Sequence, residues 1–465
     1  MKTKTNLYLF LIALISAMGG FLFGYDWVVI GGAKPFYEQY FQIADSPSLQ
    51  GWAMSSALIG CLIGALSAGK LSDKLGRKPI LILAAGLFIC TAVGTGAADT
   101  FGLFNVFRLI GGFAIGIASS LSPMYIAEIA PAHLRGRFVS INQLTVVLGI
   151  LSAQIVNWQI AEPVADHATA EMIRLSWNGQ MGWRWMFWAM VVPAALFFVF
   201  SFVLPESPRW LALRGRTDRA LRVLGRINGD RAEAAAELAA IETAVGGGQA
   251  PQWRLLLSKG IRTAVLVGAA IAILGQFMGV NAVLYYGPSI FERAGWSGSD
   301  SLFAQILVGA VNMLTTVLAL AIIDRVGRKK LVYWGVSGMV LSLLLIGTCF
   351  LTGERSGMPD GVLLAAFLCY IFCCAISVCA VVWVLLSEMY PIRVRGAAMS
   401  IAGFALWVGT YLVGQLTPWM LANLTPAGTF FLFAAMCVPY MLLIWKAVPE
   451  TSGRTLEEIE RYWTR

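Results

Sequence analysis

Charged side chains are scarce in this sequence, and histidine is almost absent. Only 13% of the 465 residues are Asp, Glu, Lys or Arg, and only two are histidine. A soluble globular protein normally carries about twice that share of charge. The sequence contains neither a nucleophile–base set nor a cluster of metal-ligating residues, so we predict no enzyme activity, no metal and no cofactor.

Apolar residues make up more than half of the sequence. The chain is 58% hydrophobic, and apolar segments of about 20 residues, long enough to cross a bilayer core, recur along it. The segments are continuous rather than alternating, which favours helices over barrel strands. We therefore predict an all-α integral membrane protein with twelve transmembrane helices, at 7–31, 51–71, 80–99, 103–127, 138–161, 183–204, 261–288, 302–323, 331–352, 362–387, 397–420 and 427–448.

Lysine and arginine are unevenly distributed between the predicted loops. If the N-terminus faces the cytosol, most of the 34 basic residues fall in cytosolic segments. The outer loops then hold Lys34, Arg174, Arg184, Arg293 and Arg355. This pattern predicts a multi-pass protein of the plasma (cytoplasmic) membrane with both termini in the cytosol. The net charge of +9 therefore reflects membrane topology, and we expect no nucleic-acid partner.

Three motifs occur twice in the same order. Asp73-Lys-Leu-Gly-Arg-Lys78 returns as Asp324-Arg-Val-Gly-Arg-Lys329, and Pro-Glu follows both the sixth and the twelfth span. A Glu-x-x-Pro-x-x-x-Arg-Gly pattern begins at Glu128 and again at Glu388. Such repeats predict two pseudo-symmetric six-helix bundles. The predicted domains are an N-terminal bundle at 1–204, a small cytosolic helical domain at 205–260, a C-terminal bundle at 261–448 and a cytosolic tail at 449–465.

The segment 205–260 is the only long polar stretch. Thr217 is placed to cap a helix whose apolar face carries Ala220, Leu221, Leu224 and Ile227. A second helix is predicted from Arg231 to Val245, ended by Gly246-Gly-Gly248. The alternative is a solvated linker without a fold of its own.

Two charges fall inside apolar segments, Asp26 in the first and Arg108 in the fourth. A carboxylate at such a position costs about 2.5–3.5 kcal/mol on insertion scales. A titratable acid retained at that cost indicates proton handling. The alternative is that either side chain reaches an interface and extends its charge into water.

Polar and aromatic side chains inside the spans form a short set. Amides both donate and accept hydrogen bonds, which suits a neutral polyhydroxylated ligand, and flat aromatics suit the apolar faces of a sugar ring. Single intramembrane amides also serve as helix–helix hydrogen bonds, and that alternative stays open. The seventh span carries Gly275, Gly279 and Gly287-Pro288, so we expect a break near the site. The set is Gln143, Gln276, Asn281, Tyr285, Tyr286, Asn312, Trp383 and Trp407.

Opposite charges also cluster at the predicted cytosolic ends of the helices. Each exposed pair is worth only about 0–1 kcal/mol, but several together would form a latch that breaks in each transport cycle. Topology signals alone would explain the basic residues but not the glutamates. The predicted latch comprises Arg77, Glu128, Arg135, Glu206, Arg209, Arg328, Glu388, Arg395, Glu450 and Arg454.

Over nearly its whole length the chain resembles the sugar porters of the major facilitator superfamily. The stretches that carry the resemblance are Gly24-Tyr-Asp26, Asp73 to Lys78, Pro131-Ala-His-Leu-Arg-Gly136, Pro205-Glu-Ser-Pro-Arg-Trp-Leu211, Gln276 to Tyr286 and Pro449-Glu-Thr451. Within that family the segment from Ser122 to Gly136 is most similar to the bacterial xylose–proton symporters. The resemblance implies alternating access, with sugar bound between the halves and Asp26 with Arg108 as the proton-coupling pair. Facilitative members typically have Asn at the position of Asp26. The implied sugar contacts are Phe23, Gln143, Gln276, Asn281, Tyr285, Asn312, Trp383 and Trp407.

The chain departs from the family pattern at several contact positions. Gly275 replaces a glutamine, and Leu406 replaces a glutamine or asparagine. Cys379 and Ala380 stand where the tenth span usually carries Gly-Pro. Two amide contacts are therefore missing, and each is worth about 0.5–1.5 kcal/mol. The substrate is left open among a pentose, a hexose and a polyol.

The sequence thus predicts a transporter that imports a monosaccharide by proton symport. The first alternative is a facilitative uniporter of a sugar or polyol, in which Asp26 is only a structural partner of Arg108. A more remote one is a sugar-sensing receptor. The expected partners are a sugar, a proton and the lipid bilayer, and one chain should suffice as a monomer.

Overall fold

The computed structural model describes residues 2–131, 134–164, 168–246, 256, 258–352, 360–390, 394–450, 459 and 463. Within these ranges the chain is helical and contains no strand. Twelve helical segments are long and apolar enough to cross a membrane, which confirms the predicted all-α fold with twelve spans. These are Leu7–Tyr40, Pro47–Leu75, Arg77–Ala97, Phe101–Ile129, Arg135–Ile160, Asn178–Ser201, Gly260–Arg293, Gly298–Ile323, Arg328–Thr352, Gly361–Met389, Arg395–Asn423 and Thr425–Ala447.

Eleven α-helices of the described residues precede the seventh span. They are α1 (Lys2–Tyr40), α2 (Pro47–Leu75), α3 (Arg77–Ala97), α4 (Phe101–Ile129), α5 (Arg135–Ile160), α6 (Ala170–Leu175), α7 (Trp183–Trp188), α8 (Val191–Ser201), α9 (Pro208–Leu213), α10 (Thr217–Asn228) and α11 (Arg231–Gly246). A π-helical turn, Asn178–Gly182, leads directly into α7.

Eight further α-helices are described after them. They are α12 (Lys259–Gln276), α13 (Val280–Arg293), α14 (Gly298–Val326), α15 (Arg328–Thr352), α16 (Asp360–Cys374), α17 (Ala380–Met389), α18 (Arg395–Asn423) and α19 (Thr425–Ala447). A second π-helical turn, Ala375–Cys379, joins α16 to α17 within the tenth span.

The first repeated motif makes the same turn in both halves. Gly76 links α2 to α3 with φ of 106°, and Gly327 links α14 to α15 with φ of 97°. A positive φ of this size strains any residue with a side chain, so glycine is required at both turns. Arg77 and Arg328 then begin the next helix in each case. The repeated sequence motif therefore forms the same local structure in both halves.

The first helix is longer than the sequence predicts. It continues to Tyr40, so Lys34 lies inside a helix and not in an outer loop. Glu38 stands one turn after Lys34 and forms an ion pair with it. This pairing lowers the cost of burying the lysine, which the hydropathy pattern alone does not reveal. Arg184 and Arg293 also lie in helices rather than in loops.

The polar segment after the sixth span folds as short helices. The second predicted helix is confirmed as α11, whereas the predicted cap is wrong: Arg216 precedes α10, and Thr217 is its first residue. Gly229 ends α10 in the left-handed conformation, with φ of 71°. A small apolar cluster joins these helices, formed by Trp210, Leu211, Ala220, Val223 and Leu238. Gly247 and Gly248 lie outside the described residues.

The expected break in the seventh span is confirmed. Helix α12 ends at Gln276, and α13 begins at Val280. Gly279 between them has φ of 94°, and a side chain there would overlap the ring of Phe433. Gly287 and Pro288 lie inside α13 and do not interrupt it.

The structure divides into two compact units. Unit 1 comprises Met1–Val29, Ile59–Ala153 and Arg184–Ala250, and unit 2 comprises Ile30–Leu58, Gln154–Trp183 and Pro251–Arg465. The division cuts α1, α2, α5 and α7, so the second parts of α1 and α5, the first part of α2 and the first residue of α7 belong to unit 2. The domain boundaries drawn from the sequence repeats stay a prediction.

Small residues bring α2 and α4 into close contact within unit 1. A side chain on Gly116 would overlap the carbonyl oxygen of Cys61, and one on Gly60 would overlap that of Leu109. The two helices therefore approach through their backbones, as small residues allow in membrane proteins. These glycines serve packing.

We predict that Gly116→Ala lowers stability, because the added methyl group meets backbone that cannot move aside. The expected cost is about 1–3 kcal/mol, typical of overpacking. Gly102→Ala, in the first turn of the same helix, has no neighbouring atom within 4 Å and should change stability by less than about 0.5 kcal/mol. Chemical unfolding in mixed micelles measures both. Equal effects of the two substitutions would contradict the close approach.

Candidate functional site

Asp26 of α1 and Arg108 of α4 form a buried ion pair in unit 1. The Nη1 atom of Arg108 lies 2.7 Å from Oδ1 of Asp26. The two residues are 0% and 2% exposed. Neither charge therefore extends to an interface, and the snorkelling alternative is wrong. The guanidinium carbon of Arg108 also lies 5.8 Å from the ring centroid of Phe187.

The ion pair uses one oxygen of the carboxylate. Within the part of the chain that the structure describes, Oδ2 of Asp26 and Nε of Arg108 are buried and have no hydrogen-bond partner. A buried carboxylate with one unsatisfied oxygen has room for a proton, and protonation would remove the negative half of the pair. Arg108 would then be a buried charge without compensation, which is costly. The geometry therefore links the protonation of Asp26 to the position of Arg108.

Three helices of unit 2 place polar side chains around Gln276. Its Oε1 atom accepts a hydrogen bond from Nδ2 of Asn281 at 2.7 Å and another from Oγ1 of Thr410 at 3.2 Å. Gln276 is the last residue of α12, Asn281 lies in the first turn of α13, and Thr410 lies in α18. The break in the seventh span therefore brings its two amides together. Thr410 was missed by the sequence reasoning, since a buried threonine in a helix has no distinguishing pattern.

The remaining predicted contacts of unit 2 differ in exposure. Tyr285, Asn312 and Trp407 are buried, whereas Trp383 is 43% exposed. The backbone carbonyl of Asn312 accepts a hydrogen bond from Thr316, one turn later in the same helix. Tyr286, also in the polar set, donates from its hydroxyl to the carbonyl of Gly414 at 2.7 Å.

Two predicted sugar contacts belong to unit 1. Phe23 packs edge-to-face on Trp27, with ring centroids 5.2 Å apart. Gln143 of α5 is half-buried. Phe23 lies on the first span and Gln143 on the fifth. That these two residues meet the unit 2 contacts around one sugar stays a prediction.

Three of the four departures from the family pattern fall beside irregular backbone, whereas Leu406 lies inside α18. Cys379 closes the π-helical turn in the tenth span, and Ala380 begins α17. The irregular turn therefore forms without Gly-Pro. The Sγ atoms of Cys374 and Cys379 lie 3.7 Å apart, and both cysteines are free. A side chain at Gly275 would make ordinary contacts with Tyr440 and Val378, so the backbone there leaves space for a larger residue.

The charge clusters at the helix ends form within each unit. In unit 1, Arg77 contacts Glu128 through Nε at 2.9 Å and Nη2 at 3.0 Å, and it pairs with Asp73 at 3.0 Å. Glu206 accepts a hydrogen bond from the backbone amide of Arg77, whereas Arg135 donates to the carbonyl of Ala127. Arg209 is exposed.

Unit 2 repeats this arrangement. Arg328 pairs with Glu388 at 2.9 Å, and Glu450 accepts hydrogen bonds from the backbone amides of Arg328 and Lys329. Arg395 approaches the carbonyl of Tyr390 at 3.5 Å. The last predicted latch residue, Arg454, lies outside the described residues. The role of both clusters as a latch stays a prediction.

A further group of charges in unit 2 joins α1 to α13. Nζ of Lys34 lies 2.9 Å from Oε1 of Glu38 and 5.7 Å from the ring centroid of Tyr286. Both members of the pair are buried, and they interact electrostatically with Glu292 and Arg293 of α13. We call these four charged residues the α1–α13 charge cluster. The i, i+4 spacing of Lys34 and Glu38 was the signal that could have revealed it.

Comparisons with known proteins agree with this architecture. Residues 12–463 match the family model described as "Sugar (and other) transporter". The arabinose-proton symporter of Bacillus subtilis (strain 168) is 37% identical over 458 residues, covering 98% of this chain and 96% of that protein. The D-xylose-proton symporter of Escherichia coli (strain K12) is 37% identical over 494 residues, covering 100% of this chain and 97% of that one.

Solved structures show the same fold. An inward open conformation of the xylose transporter XylE from E. coli matches with a TM-score of 0.85 at 35% identity, covering 98% of this chain and 100% of that one. The bromo-deoxyglucose complex of the same proton:xylose symporter, a major facilitator superfamily protein, matches with a TM-score of 0.80 at 36% identity, covering 99% and 100%. With twelve apolar helices, a helix broken beside paired amides and a family match along almost its whole length, the chain belongs to the sugar transporter family of the major facilitator superfamily.

Proposed function

We propose that this protein imports a monosaccharide, either a pentose or a hexose, by proton symport through alternating access. The observation that carries the proposal is the buried pair of Asp26 and Arg108. A carrier that only equilibrates its substrate has no need of a titratable acid at this cost. Relatives whose names specify proton symport with arabinose, xylose and galactose support the proposal.

The proton acts on the ion pair. In the outward-facing state Asp26 takes a proton from outside, and the neutral carboxyl loses its Coulombic hold on Arg108. Arg108 is then a buried charge without compensation, so protonation favours a conformation in which Arg108 changes its position. Release of the proton to the cytosol restores the pair and resets the carrier.

The sugar binds the amides of unit 2. Gln276, Asn281 and Thr410 already form a hydrogen-bonded group, and each can exchange a partner for a sugar hydroxyl. Tyr285 and Trp407 supply buried aromatic surface close to this group in sequence. Because Gly275 and Leu406 provide no amide, we expect fewer polar contacts than in family members that have both.

Opening and closing act on the charged groups near the helix ends. The α1–α13 charge cluster holds α1 against α13, and we assign it to closure of the outer side. The pairs Arg77–Glu128 and Arg328–Glu388 stabilise the helix ends predicted to face the cytosol. In this scheme the Arg77–Glu128 and Arg328–Glu388 pairs rearrange when the carrier opens inward. The chain works as a monomer in the cytoplasmic membrane with both termini in the cytosol.

Uniport is the second candidate, because a buried ion pair can also be purely structural. In that case Asp26 would hold Arg108 in place throughout the cycle and would never bind a proton. The first experiment below separates the two candidates.

We predict that Asp26→Asn abolishes accumulation but preserves exchange. In proteoliposomes, one unit of imposed pH difference supplies about 1.4 kcal/mol per proton, which supports about tenfold accumulation. Radiolabelled xylose, arabinose, glucose and galactose form the substrate panel. The control is Asp99→Asn, which removes an exposed acid paired with Arg184. Accumulation by Asp26→Asn equal to that of the native protein would place the coupling proton elsewhere, and a native protein that only equilibrates the sugar would establish uniport.

We predict that Gln276→Ala weakens sugar binding. The substitution removes an amide assigned to the sugar, and it also removes the oxygen that accepts hydrogen bonds from Asn281 and Thr410. A loss of one to two hydrogen bonds corresponds to about 0.5–3 kcal/mol, or a Kd higher by roughly 2- to 100-fold. Isothermal titration calorimetry with the best sugar of the panel measures the change. Asn423→Ala, an exposed amide on the same helix as Thr410, should leave the Kd unchanged. A Kd unaffected by Gln276→Ala would exclude this residue from the sugar site.

We predict that Lys34→Met destabilises the protein by about 3–5 kcal/mol, because it leaves Glu38 buried without its cation. The double variant Lys34→Met with Glu38→Leu should recover much of this loss. Chemical unfolding in mixed micelles measures both. Arg174→Gln, which breaks the exposed pair with Glu171, should leave the stability close to that of the native protein. A double variant no more stable than Lys34→Met would show that the two residues act independently.

A further inference from the structure

A cavity of about 440 Å³ lies in unit 1, where α9 and α10 meet the adjoining ends of α2 and α3. Arginine is its most frequent lining residue, and Glu206 is the one acidic residue among those that line it. The arginines are Arg216, Arg219, Arg222 and Arg226. We call this space the arginine cavity.

The fold of α10 directs its arginines to one side. Arg219, Arg222 and Arg226 are spaced i, i+3 and i+7, so they share one face of the helix. The other face buries Ala220, Leu224 and Ile227. Because the buried face fixes the rotation of the helix, the three guanidinium groups remain together beside the cavity.

No described carboxylate forms an ion pair with these arginines. Among the described residues, no acidic side chain lies within 4.0 Å of the guanidinium nitrogens of any of the four. Arg216 instead lies over the ring of Trp210, at 5.7 Å from the centroid. The carboxylate of Glu206 already accepts hydrogen bonds from the backbone amides of Arg77, Lys78 and Ser207.

Four guanidinium groups that form no ion pair with any described residue, placed around one concave space, suit a phosphate group. Each guanidinium offers a planar fork of donors that matches two phosphate oxygens, and several together raise the local positive potential. A topology signal requires basic residues on this side of the membrane but does not require them to line one cavity. The volume falls within the range of small-molecule sites, about 300–1,000 Å³. We propose that the arginine cavity binds a phosphate-bearing anion.

Two sources could supply that phosphate. Leu75, the last residue of α2, and Pro79, in the first turn of α3, line the cavity, so it lies beside the ends of two spans. Anionic phospholipids present their phosphodiester groups at this level. A soluble phosphate monoester would reach the same arginines from the water. The apolar walls formed by Leu211 and Val223 suit the organic part of either ligand.

The test compares two double variants that remove the same charge. The first double variant, Arg222→Gln with Arg226→Gln, removes two positive charges from the cavity wall. The control, Arg231→Gln with Arg262→Gln, removes two exposed arginines that do not line the cavity. A second cavity variant, Arg216→Gln with Arg219→Gln, guards against a folding defect in the first. In one arm, glycerol 3-phosphate is titrated into the detergent-solubilised protein by calorimetry. In the other, the thermal midpoint is compared in nanodiscs of phosphatidylcholine alone and of phosphatidylcholine and phosphatidylglycerol mixed three to one.

Both cavity variants should weaken binding about tenfold or more in at least one arm, because each removes two charged donors, while the control variant binds as the native protein does. Binding of glycerol 3-phosphate identifies a soluble ligand, and a phosphatidylglycerol-dependent shift alone identifies a lipid headgroup. Absence of binding in both arms, or equal losses in the cavity and control variants, would overturn the proposal. Neither readout involves sugar uptake, so the result does not depend on the transport mechanism.

Discussion

The buried contact between Asp26 and Arg108 is the constraint on which the functional account depends. Two opposite charges lie in an apolar helix bundle, joined at 2.7 Å through a single carboxylate oxygen. Such a pair is stable while both members are charged, and it becomes costly when one is neutralised. A proton on Asp26 therefore changes the free energy of each conformation in which Arg108 contacts that carboxyl group. Proton binding can thereby bias the conformation of the carrier.

Several other buried or half-buried charges are compensated by partners in the same unit. Lys34 pairs with Glu38 one turn away, and Arg77 and Arg328 each bind a glutamate from a different span. The two repeated arginine sites use the same design, a glycine turn followed by an arginine at the start of the next helix. Irregular backbone, in turn, interrupts the sixth, seventh and tenth spans. The break in the seventh lies between Gln276 and Asn281, the two amides assigned to the sugar.

Much of the fold could be predicted from the sequence, because hydropathy and glycine placement are local signals. All twelve spans and the break at Gly279 were predicted in this way. The length of α1 was not predicted, because Lys34 ends the apolar run of the first segment. Only the ion pair between Lys34 and Glu38 explains why the helix continues to Tyr40. Thr410 was missed because its role depends on a residue 134 positions away in the chain. The pairing of Lys34 with Glu38 has a local signal in its i, i+4 spacing, whereas the proximity of this pair to Glu292 and Arg293 emerges only when the positions of the helices are known.

The central claim is that Asp26 gains and loses a proton as the carrier works. Infrared difference spectroscopy of the native protein and of Asp26→Asn, titrated from mildly acidic to alkaline pH with and without sugar, observes the carboxyl group directly. The account predicts a protonated carboxyl band that is absent from the variant, titrates with pH and changes when sugar binds. A carboxylate that stays ionised across the whole range, in both the free and the sugar-bound protein, would contradict it.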